Sequence, residues 1–183
     1  MRIISGRFKG RLIKMPKGIR PTQNKVRKAL FDILSPRITE SVFLDLFAGS
    51  ASVGLEALSY AAKEVVLVED NSASLKALRE NIRSLNLAEG EVSLLVIDAF
   101  RALDLLFKKG KSFDIVFLDP PYYRGLANKI LKKLRLCDIL LSNGLVVIQH
   151  HKKDLLPKEA GFLKLSRQER YGDTILSFYQ KIF

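Results

Sequence analysis

The chain has 183 residues, 48% of them hydrophobic, and a formal net charge of +12. A domain of that length buries roughly 70% of its unfolded surface, so it needs no disulfide or metal staple. Cys137 is the only cysteine, and one cysteine with two histidines falls short of the four ligands of a structural zinc site, so Cys137 is expected to be a packed thiol and no metal is expected.

No run of about 18 apolar residues is present, which excludes a membrane-spanning helix. Basic residues follow Met1-Arg2-Ile3-Ile4-Ser5 at once, which argues against a secretory signal, so a soluble, cytoplasmic protein is expected. The charge is concentrated. Residues 1–37 hold eleven basic residues and one acid, Asp32, for +10 of the total +12. A localised basic segment is the electrostatic footprint of polyphosphate binding. Gly6, Gly10, Pro16 and Gly18 break any long amphipathic helix there, which disfavours a membrane surface.

In chain order, residues 2–5 and 11–14 read as two short strands around Gly6-Arg7-Phe8-Lys9-Gly10, a hairpin-like arm. Pro16 to Pro21 is a linker. Thr22 is placed to cap a helix over about 23–35 that ends at Pro36, with Val26, Leu30, Ile33 and Leu34 inside and Lys25, Arg27 and Lys28 outside. From residue 42 strands and helices alternate. Strands are expected at 42–46, 65–68, 92–97, 113–118 and 145–148, with helices at about 52–61, 72–86, 99–108 and 124–136. Leu75, Leu78, Ile82 and Leu85 would form one face of the second of these helices. Near-continuous apolar strands between amphipathic helices imply a parallel sheet covered on both faces. Residues 162–170 and 174–182, split by Gly172-Asp173, read as a terminal antiparallel hairpin, for seven strands in all. The domain reading is a basic extension over 1–38 and a catalytic domain over 39–183.

The chemistry gathers at strand ends. Asp45-Leu46-Phe47-Ala48-Gly49-Ser50-Ala51-Ser52-Val53-Gly54 spans a strand-to-helix junction, where small residues let backbone approach a ligand and a helix start offers free N–H groups. Glu69, with Asp70 beside it, ends the next strand about 20 residues on, where a carboxylate can hold ribose hydroxyls. Asp98, followed by Ala99, ends the third and can receive the exocyclic amine of an adenine. A nicotinamide dinucleotide would satisfy the ribose logic equally. Asp119-Pro120-Pro121-Tyr122 closes the fourth strand. A carboxylate and a proline-stiffened backbone carbonyl can accept hydrogen bonds from an NH2 group, and the aromatic ring can stack on the planar molecule that carries it. That equipment suits methylation of a nucleobase amine, which favours S-adenosylmethionine over a hydride carrier.

A dispersed set of residues resembles the bacterial RsmD family, which methylates a guanine N2 in 16S ribosomal RNA. The set comprises Arg2-Ile3-Ile4-Ser5-Gly6 with Lys9-Gly10-Arg11, and Arg20-Pro21-Thr22 with Val26-Arg27 and Leu30-Phe31. It continues through Asp45 to Ser50, Gly54-Leu55-Glu56-Ala57-Leu58-Ser59, Glu69, Asp119 to Tyr122 and Arg124-Gly125. The resemblance implies a Rossmann-like class I S-adenosylmethionine-dependent methyltransferase: a mostly parallel seven-stranded sheet with a terminal antiparallel hairpin and a small basic N-terminal hairpin and helix. S-adenosylhomocysteine would be the product, and the partner would be 16S ribosomal RNA in a small ribosomal subunit or assembly intermediate; a monomer is expected, although the sequence itself does not fix the oligomeric state.

Carried over residue by residue, Asp45, Phe47, Ala48, Gly49, Ser50, Ala51, Gly54, Glu69, Asp70, Asp98, Ala99 and Thr22 would bind the cofactor. Asp119, Pro120 and Tyr122 would be catalytic. Arg7, Lys9, Arg11, Arg20, Arg27 and Arg124 would contact RNA. Departures are Ala51 in place of glycine, Asn24 and Lys28 in place of acids, and Gln149-His150-His151 in place of a more acidic strand end. Rival readings are a DNA amino-methyltransferase acting on adenine or cytosine, a protein-glutamine methyltransferase, and a non-catalytic RNA-binding module.

Overall fold

A computed structural model of the chain describes residues 1–16, 24–121 and 125–182. It contains five helices and eight strands among the described residues, in two compact units, Met1–Asp98 and Ala99–Phe183.

The first unit holds helix α1 (Asn24–Ile38), strand β1 (Val42–Asp45), helix α2 (Ser52–Ser59), strand β2 (Glu64–Val68), helix α3 (Ser72–Ser84) and strand β3 (Val92–Leu95). The strands run parallel in the order β3-β2-β1, with Leu44 level with Val66 and Val66 with Ser93. Parallel neighbours need a crossover, and α2 and α3 supply the two here. α3 begins at Asn71, whose side chain accepts from the Ala73 N–H at 2.9 Å, an ordinary N-cap.

All eight residues of α2 are buried. One side packs on β1 and β2, where a Cβ on Gly54 would meet Leu67 Cδ2 at 2.4 Å. α1 and the N-terminal arm cover the rest. The arm is hairpin-like, as expected, but forms only one isolated bridge, Arg2 with Leu12, where two strands were expected. Its purchase comes from α2. The Ile4 and Ser5 N–H groups donate to Glu56 at 2.9 and 3.1 Å, and the Arg7 and Phe8 N–H groups to the Ser59 carbonyl and hydroxyl. Gly6 sits at φ +77°, and a Cβ there would lie 1.7 Å from the Ser59 carbonyl oxygen, so only glycine permits this approach. Ile3, Phe8 and Ile13 are buried beneath the arm.

Two expectations for α1 are corrected. The helix runs through Pro36 to Ile38. Pro36 has no N–H for the Asp32 carbonyl, and the Ser35 hydroxyl donates to that carbonyl at 3.0 Å instead. Arg27 is fully buried rather than outward, with its Nε 3.3 Å from the equally buried Glu56 Oε2.

The second unit holds helix α4 (Ala99–Lys108), strand β4 (Phe113–Leu118), helix α5 (Leu126–Leu136), and strands β5 (Leu140–His151), β6 (Glu159–Ala160), β7 (Leu163–Tyr171) and β8 (Thr174–Lys181). Its strand order is β4-β5-β8-β7-β6, with β4 and β5 parallel and the rest antiparallel. The terminal hairpin is β7–β8. The expected seven strands become eight because the two-residue β6 adds an edge, a segment too short to leave a hydrophobic pattern. Cys137, at the end of α5, is a packed thiol, and burial raises its pKa. No helix among the described residues is long and apolar enough to cross a membrane.

Candidate active site

The loop after β1 is held at three points. Asp45, at the end of β1 and buried, accepts the Gly54 N–H at 3.1 Å, closing the loop onto the first turn of α2. Glu69, just past β2, accepts the Gly49 N–H through Oε2 at 2.7 Å and the Asn71 N–H through Oε1 at 2.7 Å. Asn81, on α3 and also buried, donates to the Ser50 carbonyl at 2.9 Å. The same amide exchanges bonds with the arm: it donates to the Lys14 carbonyl at 2.9 Å and accepts the Lys14 N–H at 2.8 Å.

The structure thus brings Asp45, Gly49, Ser50, Gly54 and Glu69 together. Asp45 shapes the loop from within it. Glu69 spends two acceptor positions on the loop and, as a carboxylate with about four, keeps capacity for ribose hydroxyls. Gly49 takes φ +55°, and a Cβ there would meet no atom within 4 Å. Phe47 is half-buried, Ala48 buried, Asp70 exposed and Asp98 half-buried, while Ala99 is the buried first residue of α4. The small residues and the strand-end acids are of the kind that suits an adenosyl cofactor.

Ala51 takes φ +64° as the N-cap of α2, with no side-chain cap. A left-handed alanine costs roughly 1–2 kcal/mol. Burial of its methyl, about 0.8 kcal/mol, and the smaller backbone entropy it loses relative to glycine, about 0.4–1 kcal/mol, offset most of that. The departure from glycine is therefore tolerated.

In the second unit, Asp119 follows β4 and Pro120 is buried. Asp119 Oδ2 accepts from Gln149 Nε2 at 2.9 Å. A cavity of about 170 Å³ opens beside Pro120 and Pro121, lined also by Leu126, His150, Lys153 and Leu155. It is smaller than the roughly 300 Å³ of a drug-sized pocket. His150 is buried, with Nε2 2.8 Å from Ser177 Oγ and Nδ1 3.0 Å from the His151 carbonyl, and burial lowers its pKa from the usual 6.5. Both ring nitrogens of His150 are engaged in the fold.

Of the residues expected on RNA, Lys9 and Arg11 are exposed and carry no ion pair among the described residues. Arg7 pairs with Glu91 and lies over the Phe8 ring at 4.5 Å. Arg27 is the correction: a guanidinium bonded to the Arg2 carbonyl at 2.6 Å and paired with Glu56 cannot meet RNA. Arg20, Thr22, Tyr122 and Arg124 lie outside the described residues. Sequence reasoning missed Asn81 and Gln149. Asn81 left a signal, a polar residue three after Leu78 and four before Leu85, and it is buried where Ile82 is only half-buried.

The family model described as conserved hypothetical protein 95 matches residues 1–180. The chain is 33% identical over 183 residues to the ribosomal RNA small subunit methyltransferase D of Escherichia coli K12, covering 99% of this chain and 90% of that protein. It is 36% identical over 166 residues to the protein of that name from Haemophilus influenzae, covering 87% and 83%. A solved hypothetical protein of Thermus thermophilus is 34% identical with a TM-score of 0.85, covering 97% of this chain and 98% of that one.

Proposed function

Because the chain belongs to the conserved hypothetical protein 95 family, that of ribosomal RNA small subunit methyltransferase D, we propose that it methylates small-subunit ribosomal RNA from S-adenosylmethionine. The finer reading is transfer to the exocyclic N2 of a guanine, in a small subunit or assembly intermediate, in the cytoplasm. The observation that carries the reading is the loop after β1. Its Gly49 N–H is pinned by a strand-end carboxylate at 2.7 Å, and a Cβ on Gly49 would meet no atom within 4 Å.

When bound, S-adenosylmethionine supplies an electrophilic methyl group on a sulfonium. The Asp45–Gly54 loop would hold the methionine part, Glu69 the ribose and Asp98 the adenine amine. Guanine N2 is a weak nucleophile because its lone pair is delocalised into the ring. The Asp119 carboxylate and the Pro120 carbonyl would accept hydrogen bonds from its NH2, orient the lone pair and stabilise the positive charge that develops on nitrogen. The S–CH3 bond breaks as N–CH3 forms, and the surplus proton on nitrogen is then lost to solvent. Tyr122 stacks the base once it has left its own stack, a step costing a few kcal/mol. Lys9 and Arg11 add phosphate contacts that raise affinity without reading sequence.

Asp119→Ala tests the assignment. The expected variant binds S-adenosylmethionine as the wild type does and transfers no methyl group to small subunits. Near-normal turnover would refute it. Duplex DNA run beside the subunits separates the rival DNA amino-methyltransferase.

A further inference from the structure

We propose that Gln149 is a positioning residue for this reaction, acting by fixing the plane of the Asp119 carboxylate; the proposal rests on the methyltransferase reading above.

The register brings the pair together. Leu118 on β4 and Ile148 on β5 are level with each other. The residues that follow this pair are Asp119, just past the end of β4, and Gln149 on β5. The bond from Gln149 Nε2 to Asp119 Oδ2 is 2.9 Å. An ionised carboxylate only accepts hydrogen bonds, so the amide nitrogen must be the end that faces it.

Gln149 is itself buried and its backbone is paired in the sheet. Its backbone lies level with Leu176 on β8, on the other side from β4, and its side chain is 4% exposed. The following residue, His150, is tied to Ser177 on β8. The other end of the amide, Oε1, is buried and has no hydrogen-bond partner among the described residues. A buried acceptor left unpartnered is a cost, and an apolar residue of the same size would avoid it. The feature the glutamine offers in return is its single bond to Asp119. A donor held against Oδ2 restricts rotation of the carboxylate about its last bond. The acceptor directions presented to an incoming amine are then set before it arrives. Misplacement of a reacting group by about 1 Å costs on the order of a hundredfold in rate.

The test uses the full chain, unmodified small subunits, and four proteins: wild type, Gln149→Leu, Asp119→Ala and Ser177→Ala. Leucine keeps the volume and loses the donor. Ser177→Ala removes a buried polar contact between β5 and β8, on the other side of β5, without touching Asp119. Expected for Gln149→Leu is a kcat lower by about ten- to a hundredfold, with KM for both substrates and the calorimetric cofactor affinity within about threefold of wild type. Ser177→Ala is expected to lose stability and keep its kcat. A Gln149→Leu enzyme at wild-type kcat overturns the proposal, as does an equal kcat loss in Ser177→Ala, which would trace the effect to strand packing. A wild type that methylates neither subunits, free RNA nor DNA overturns the functional reading and the proposal with it; activity in the wild type separates the two failures.

Discussion

Replacing Glu56 with leucine tests how the N-terminal arm is attached. Glu56 and Arg27 are both fully buried, and the carboxylate also takes the Ile4 and Ser5 N–H groups. Burial raises the pKa of Glu56 and lowers that of Arg27, and their mutual attraction opposes both shifts. Removing one member of such a pair leaves a buried charge uncompensated, at about 3–5 kcal/mol. Two backbone donors lose their acceptor as well, at about 1–3 kcal/mol each if they stay buried. Water can satisfy those donors if residues 1–16 lift away from α2. The least costly response is therefore detachment of the arm with a net loss of about 3–5 kcal/mol, a large part of the usual 5–15 kcal/mol of a domain. Urea denaturation reads the total, and hydrogen exchange at Ile4, Ser5, Arg7 and Phe8 reads where it falls. The double variant Arg27→Met with Glu56→Gln removes both charges and keeps an acceptor for the arm, so it should regain most of the loss. A Glu56→Leu protein within about 1 kcal/mol of wild type, or one that keeps arm protection, would refute the reasoning.

Three further predictions concern the fold and the RNA surface. Gly54→Ala drives a methyl into Leu67 and should cost about 1–3 kcal/mol by denaturation, unlike an alanine placed on an exposed helix face. The folded pKa of His150 is lowered by burial, so between that value and 6.5 the unfolded chain binds more protons than the folded one. His150 therefore supports stability above pH 6.5, and that support is lost as pH falls through this window. Comparing wild type with His150→Phe at about pH 7.5 and about pH 5.5 checks the sign, the wild type losing more. Removing Lys9 and Arg11 together should flatten the log–log salt dependence of RNA binding by roughly 1.4–1.8, two contacts at about 0.7–0.9 each. Arg7 should add less, because Glu91 already neutralises it.

The central strands were legible because parallel strands buried on both faces leave apolar runs. Val65 to Val68 and Phe113 to Leu118 are of this kind, and both occur within a residue of where the pattern puts them. Arg27 was misread because a charge on a helix usually faces water. Its pairing with Glu56 is a tertiary fact, although Arg27, Phe31, Leu34 and Ile38 share one helical face and Glu56 stands in an apolar run. Pro36 misled for a local reason, the Ser35 hydroxyl that replaces the missing backbone donor. The loop after β1 was readable from its small residues, while the bonds that hold it from Glu69 and Asn81 arrive from other elements. One partner of Asp119 is Gln149, which the sequence marked only as a departure from the family pattern.

The most direct test of the account is tritiated methyl transfer from S-adenosylmethionine to unmodified small ribosomal subunits, free 16S RNA and duplex DNA, with mapping of the modified base. The account predicts label on the N2 of a guanine in the small-subunit RNA and none on DNA. Label on an adenine or cytosine amine of DNA, with none on the RNA, would contradict it.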